Sequence, residues 1–183
     1  MSVFFVRIPR ERLGVLIGEH GKTKKEIEKK YGVKIIVDSE TGEITIDASN
    51  VSDPLLSIKV RDFVIAIGRG FSPARAQRVF DEDTYFESID IREFTGKSVN
   101  DLIRVRARLI GRNGKTRRII ENLTGTDVSV YGHTVSIIGT YENFRVAREA
   151  IEMLLRGSEH STVYRYLEKK RDELRIYEMG FDI

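Results

Sequence analysis

Two short stretches of this chain carry residues whose types and spacing could hold a phosphate. Gly111-Arg112-Asn113-Gly114 is followed by Lys115, Thr116, Arg117 and Arg118. Gly18-Glu19-His20-Gly21 is followed by Lys22, Thr23, Lys24 and Lys25. Glycines at both ends of a two-residue turn leave the backbone bare, so a sugar-phosphate chain can approach to contact distance. If a helix starts after the second glycine, its first N–H groups lack intrahelical partners and its dipole adds positive potential there. The cations that follow add long-range attraction and salt dependence. The implied chemistry is non-covalent capture of a phosphate-bearing chain.

The same residues invite a nucleotide-hydrolysing reading, because Gly-Lys-Thr closes the phosphate-binding loop of many NTPases. That loop needs a further glycine five residues before the Gly-Lys pair. Leu16 and Leu109 occupy those positions, so the match fails in both copies. Other catalytic chemistry finds little support. There is no cysteine, hence no disulfide framework or thiolate metal site, and a reducing interior is expected. His20, His133 and His160 are scattered without ligand spacing, so no metal is expected. A metal-dependent nuclease would have to use Asp81, Glu82 and Asp83 with Asp90, and the first three read better as a solvated connection. Neither enzyme activity nor a cofactor is expected.

The elements that must position these loops come from a repeat. Sliding the chain by 93 residues places Gly18 on Gly111, Gly21-Lys22-Thr23 on Gly114-Lys115-Thr116, Glu28 on Glu121 and Gly32 on Gly125. A repeat of this length with matching element order indicates a duplicated domain. Residues 3–9 and 85–94 are rich in aromatic and β-branched types and read as strands. Each is followed by a short helix ending at Gly18 or Gly111. A second helix then runs from Lys22 to about Lys30 and from Lys115 to about Leu123, each stopped by a glycine fit to be a C-cap. Two strands follow around turns at residues 39–43 and 131–133. Amphipathic helices over about 53–67 and 142–155 close each copy. The expected class is α+β: two β-α-α-β-β-α units, each with its helices on one face of a three-stranded antiparallel sheet. Ser72-Pro73 reads as N-cap and N1 of a linker helix to about Phe80. A further helix after Gly157 is expected to pack Val163, Tyr166 and Leu167 across the domain interface. The expected domains are residues 1–82, with the linker helix, and 83–183, with the C-terminal helix.

Charge sharpens the functional reading. The formal net charge is only +3, yet the window from Leu102 to Ile120 holds no acidic residue. It contains Arg104, Arg106, Arg108, Arg112, Lys115, Arg117 and Arg118. A solvated helix face would intersperse Glu and Asp, as residues 168–175 do. A local field of one sign marks a polyanion-binding surface. The opening residues form too short an apolar run to cross a membrane, so cytoplasmic residence without membrane association is expected.

Paired Gly-x-x-Gly loops, each between helices and followed by strand, strand and helix, resemble KH domains, whose GXXG loop grips about four nucleotides. That resemblance implies RNA binding through Gly111, Arg112, Asn113, Gly114, Lys115, Arg117 and Arg118, with Arg106 and Arg108 from the acid-free window. It implies weaker binding through Gly18, His20, Gly21, Lys22, Lys24 and Lys25. It also implies an apolar cleft floor from Ile35 and Val37 in the first unit and from Val128 and Val130 in the second. A carboxylate beside a phosphate repels it, so Glu19 is expected to make the first loop the weaker one. More narrowly, residues 107–160, the trailing "STVYRYLEKKRDEL" and the joining "AIGRGFSPARAQRVF" resemble the partner-of-Nob family of small-ribosomal-subunit assembly factors, in a compact archaeal form. Such a protein is expected to hold single-stranded rRNA near the 3′ end of the small-subunit precursor and to assist its maturation. Its expected partners are a Nob-type endonuclease, the pre-small-subunit particle and translation-initiation components, with the protein itself a monomer. A general RNA-binding adaptor, exosome-type or messenger-binding, shares the same site and differs in partner.

Overall fold

A computed structural model describes residues 2–181. Contacts divide the chain into two compact units, with the boundary between Asp81 and Glu82. The first unit runs β1 (Val3–Arg7), α1 (Arg10–Ile17), α2 (Lys22–Tyr31), β2 (Lys34–Val37), β3 (Glu43–Asp47), α3 (Pro54–Gly68) and α4 (Pro73–Ala76). A tight 3-10 turn, Gln77–Phe80, extends α4. The second unit runs β4 (Thr84–Asp90), α5 (Arg92–Thr95), α6 (Val99–Ile110), α7 (Lys115–Thr124), β5 (Asp127–Tyr131), β6 (Thr134–Thr140), α8 (Tyr141–Leu155) and α9 (His160–Glu178). Both sheets are antiparallel with the third strand central, β1-β3-β2 and β4-β6-β5. The expected order of elements is thus present twice.

Local chemistry sets the ends. Asp53 caps α3 by accepting from Leu55 N at 2.9 Å, with Pro54 in the first turn. Ser72 and Ser98 cap α4 and α6 through the N–H groups of Arg75 and Asp101. Gly32 and Gly125 end α2 and α7 with φ of 68° and 67°, where a side chain would cost conformational energy. The expected strand over 85–94 stops at Asp90 instead. There the Asp90 carboxylate accepts from Arg92 N at 2.9 Å and pairs with the Arg92 guanidinium, turning the chain into α5. Those bonds to Arg92 hold the Asp90 carboxyl down at about 2.

Alternation along the first sheet separates its faces. Ile35, Ile44 and Ile46 are buried toward α1, α2 and α3 with Leu13, Leu16, Ile27, Val60 and Phe63, while Phe5 and Ile36 face outward. In the second unit Val105, Leu109, Ile120, Val128, Val135, Ile137 and Ile151 form one cluster. Val163, Leu167 and Leu174 of α9 join that same cluster. The C-terminal helix therefore completes the core of the second unit itself, lying on α7 and α8, which corrects the expectation that those residues pack across the interface.

Candidate nucleic-acid interface

Each loop is a left-handed turn between two helices. In the second, Gly111 has φ 73° and ψ 174°, Asn113 φ 53° and ψ 32°, and Gly114 φ 76° and ψ 15°. In the first, Gly18, His20 and Gly21 have φ/ψ of 76°/174°, 53°/27° and 74°/14°. The backbone is the same within a few degrees. The first glycine of each loop is irreplaceable for two reasons. Its φ is left-handed, and a Cβ would lie 2.6 Å from Thr116 N at Gly111 or 2.8 Å from Thr23 N at Gly18. The second glycine has room: a Cβ at Gly114 meets only the Arg117 guanidinium, at 3.9 Å. No side chain caps the start of α2 or α7. The N–H groups of Lys22 and Lys115 donate to the carbonyls of Glu19 and Arg112 within each turn, and the helix dipole behind them still favours an incoming anion.

The side chains differ. Arg112, Asn113, Lys115 and Arg118 are exposed, and among the described residues they form no ion pair or side-chain hydrogen bond. They form a cluster of uncommitted donors around the turn. On the first loop, Glu19 and His20 project almost fully into solvent, 3.8 Å from each other. Lys22 reaches Glu26 at 3.9 Å, and Lys25 donates weakly to the His20 carbonyl at 3.5 Å.

Several residues assigned to RNA on sequence grounds have other employment. Lys24 pairs with Glu28 at 3.2 Å and Arg117 with Glu121 at 2.9 Å. Those glutamates in turn accept from Ile35 N at 2.8 Å and Val128 N at 2.9 Å. The cation, the glutamate and the strand amide form a brace that recurs at equivalent positions in both units. Arg108 donates to the carbonyls of Leu154, at 2.9 Å, and Ser158, so it ties α6 to the end of α8. Arg106 is half-buried, with its Nε enclosed and unpartnered. Ile35 and Val128 are each 1% exposed, facing the helices as core, and cannot be a floor for bases. Val37 and Val130, two residues farther along each strand, are half-buried and keep some surface.

Sequence reasoning missed two features. The first is Gly14 and Ala107, which sit four residues before the first glycine of each loop and are exposed. Small residues there keep the helix flank beside the loop low, and their 93-residue spacing was a readable signal. The second is support from α9. The Tyr164 hydroxyl lies 2.8 Å from Thr116 Oγ1, directly behind Gly111, and His160 Nε2 donates to the Arg108 carbonyl at 2.9 Å. Both helices flanking the second loop are thereby held from behind. Among the described residues the Thr23 hydroxyl makes no such bond. Nothing in the sequence pairs Tyr164 with Thr116, since the contact spans 48 residues.

Two other places carry less. A cavity of about 950 Å³ lies along α8 and α9, but Arg145, Arg148 and Lys170 are balanced there by Glu142, Glu149 and Glu173. No group of three or more His, Asp or Glu among the described residues is placed to hold a metal ion, and no helix among them is long and apolar enough to cross a membrane.

Comparison with known proteins bears on what these loops hold. A family model described as a eukaryotic-type KH domain of type I, the second KH domain of PNO1, matches residues 85–172. A general KH-domain model matches residues 3–53. A KH domain-containing protein of Methanocaldococcus jannaschii is 46% identical over 175 residues, covering 95% of this chain and 76% of that protein. The pre-rRNA-processing protein PNO1 of Chaetomium thermophilum is 31% identical over 165 residues, covering 88% of this chain and 63% of its own length. Dim2p of Pyrococcus horikoshii, solved in a complex with a/eIF2α and rRNA, superposes with a TM-score of 0.86 at 50% identity, covering 94% of this chain and 95% of that one.

Proposed function

The chain belongs to the PNO1/Dim2-type family of KH-domain proteins, an RNA-binding family of ribosome biogenesis, and we propose that its second GXXG loop is the principal grip on single-stranded rRNA. The backbone of Gly111–Lys115 and the start of α7 receive phosphate oxygens. Arg112, Lys115 and Arg118 supply the attraction, and Asn113 can both donate to and accept from the strand. Val130 and Ala107 border the bases. The first loop presents the same backbone behind a carboxylate and binds more weakly. The strand held is the 3′ region of the small-subunit precursor. The protein acts there by holding RNA for a Nob-type endonuclease on the pre-small-subunit particle, not by cutting it. It works as a cytoplasmic monomer that also meets translation-initiation components.

The observation that carries this reading is the uncommitted state of Arg112, Asn113, Lys115 and Arg118 around a bare, uncapped helix start. Anisotropy titration with single-stranded RNA from the 3′ end of the small-subunit precursor, against messenger RNA of the same length, tests it. Clear preference for the ribosomal strand is expected. Equal binding would favour a general RNA adaptor, and magnesium-dependent cleavage by the pure protein would overturn the non-catalytic role.

A further inference from the structure

Helix α6 is twelve residues long, and its counterpart α1 is eight. The additional length lies at the end away from the loop, and it is apolar where solvent should favour polar residues. Val99 is 68% exposed and Ile103 is 58% exposed. Ala107, also exposed, continues the four-residue spacing, and the next step is Gly111 itself. Successive members turn by only about 40° around the axis, so they form one stripe ending on the loop. Half-buried Ile110 lies in the same arc. On the helical wheel Arg104 borders this arc on one side and Arg106 on the other. The one carboxylate of α6, Asp101, is paired with Arg104 at 3.5 Å. The first unit offers nothing similar: the position equivalent to Ile103 is Arg10, and that equivalent to Ala107 is Gly14.

A single exposed aliphatic side chain needs no explanation. A stripe that is continuous with a phosphate-binding turn and bordered by arginines does. Resting on the reading of the second loop given above, we propose that the Val99–Ile103–Ala107 face of α6 is an extension of the RNA track. Bases of the strand leaving the loop lie on the aliphatic stripe while their phosphates turn outward to Arg104 and Arg106. The distance from Val99 to Gly111 along the helix is about 18 Å, room for about three nucleotides beyond the four that a GXXG loop holds. The basic borders and the absence of acidic residues from Leu102 to Ile120 select a polyanion over a protein helix for this face.

The test compares short RNAs on the full chain. A tetranucleotide from the 3′ end of small-subunit rRNA is titrated beside octanucleotides that extend it on either side. Wild-type protein is expected to bind one octanucleotide about tenfold more tightly than the tetranucleotide. Val99→Ser with Ile103→Ser, both at exposed positions, is expected to remove that gain and leave the tetranucleotide affinity and the melting temperature unchanged. A variant that keeps the full gain overturns the extended track. So does one that binds every RNA normally but no longer associates with a purified protein partner. Gly114→Asp separates this inference from its premise: if that variant binds RNA as wild type does, the loop reading itself has failed.

Discussion

The two GXXG turns are nearly superposable in backbone and differ most in the two side chains between their glycines, Glu19 and His20 in one and Arg112 and Asn113 in the other. Gly18 and Gly111, His20 and Asn113, and Gly21 and Gly114 share their dihedrals within a few degrees. The cation-glutamate-amide brace recurs at Lys24–Glu28–Ile35 and Arg117–Glu121–Val128. These shared residues are the ones that close the turn and join it to the neighbouring strand. The divergent ones lie between the glycines, along the preceding helix and behind the following one. The two copies thus share a fold-forming device, and the second surrounds it with uncommitted cations and support from α9. A glycine pattern therefore reports geometry, and the charge and support around it are what the two turns do not share.

The sharpest way to break the comparison is to place a carboxylate at the same backbone site in each unit. Gly114→Asp fits sterically, because a Cβ there meets only a flexible guanidinium, although its φ of 76° costs about 1–2 kcal/mol. The new carboxylate would stand where the proposed function places a phosphate. Loss of at least about a hundredfold in RNA affinity, or about 2.7 kcal/mol, is expected by anisotropy titration. Gly21→Asp is expected to cost less than about threefold on the same conversion. Equal losses from both would end the division of labour. Gly111→Asp is a poorer probe, since it collides with the Thr116 backbone and disturbs the turn itself.

Exchanging charges sharpens the same point with a smaller effect. Arg112→Glu is expected to weaken binding about tenfold at low salt and to flatten the slope of log affinity against log salt by about 0.7, the share of one single-strand phosphate contact. Glu19→Arg is expected to tighten binding by a few-fold, because its position is almost fully solvated and screened. If Glu19→Arg changes nothing at any salt concentration, the first loop does not meet the RNA backbone and serves the architecture alone.

Much of this was legible from residue order. The glycine spacing located both turns, and alternation and helical periodicity located most strands and helices, because these signals are local. The ties that Arg108 and Arg117 make stay hidden because a basic side chain looks the same in sequence whether it faces solvent, a carbonyl or a carboxylate. Arg108 is tied down by Leu154 and Ser158, which lie about fifty positions later. Ile35 and Val128 were misassigned because a strand's two faces cannot be distinguished until the helices cover one. The strand expected through residue 94 ended early because Asp90 can satisfy the Arg92 amide, and propensity does not register that bond. Long-range polar contacts account for most of what stayed hidden.

The contact between Tyr164 and Thr116 is the part of the asymmetry least visible from sequence, and it gives the subtlest test. Thr116 is 2% exposed, so removing its partner with Tyr164→Phe leaves a buried hydroxyl short of one hydrogen bond, at a cost of about 1–3 kcal/mol. Part of that cost lowers the melting temperature. The rest loosens the first turn of α7 behind Gly111, and RNA affinity is expected to fall about threefold on the same kcal-to-fold conversion. The fall should vanish in a Gly114→Asp background, where the second loop no longer binds. Adding Thr116→Val removes the stranded hydroxyl and is expected to restore melting, because both polar partners are then gone. If affinity returns together with melting, the pair does no more than pack the unit. If melting returns and affinity does not, the hydroxyl pair sets the angle at which the loop meets its strand, and α9 is what distinguishes a strong GXXG from a weak one in this chain.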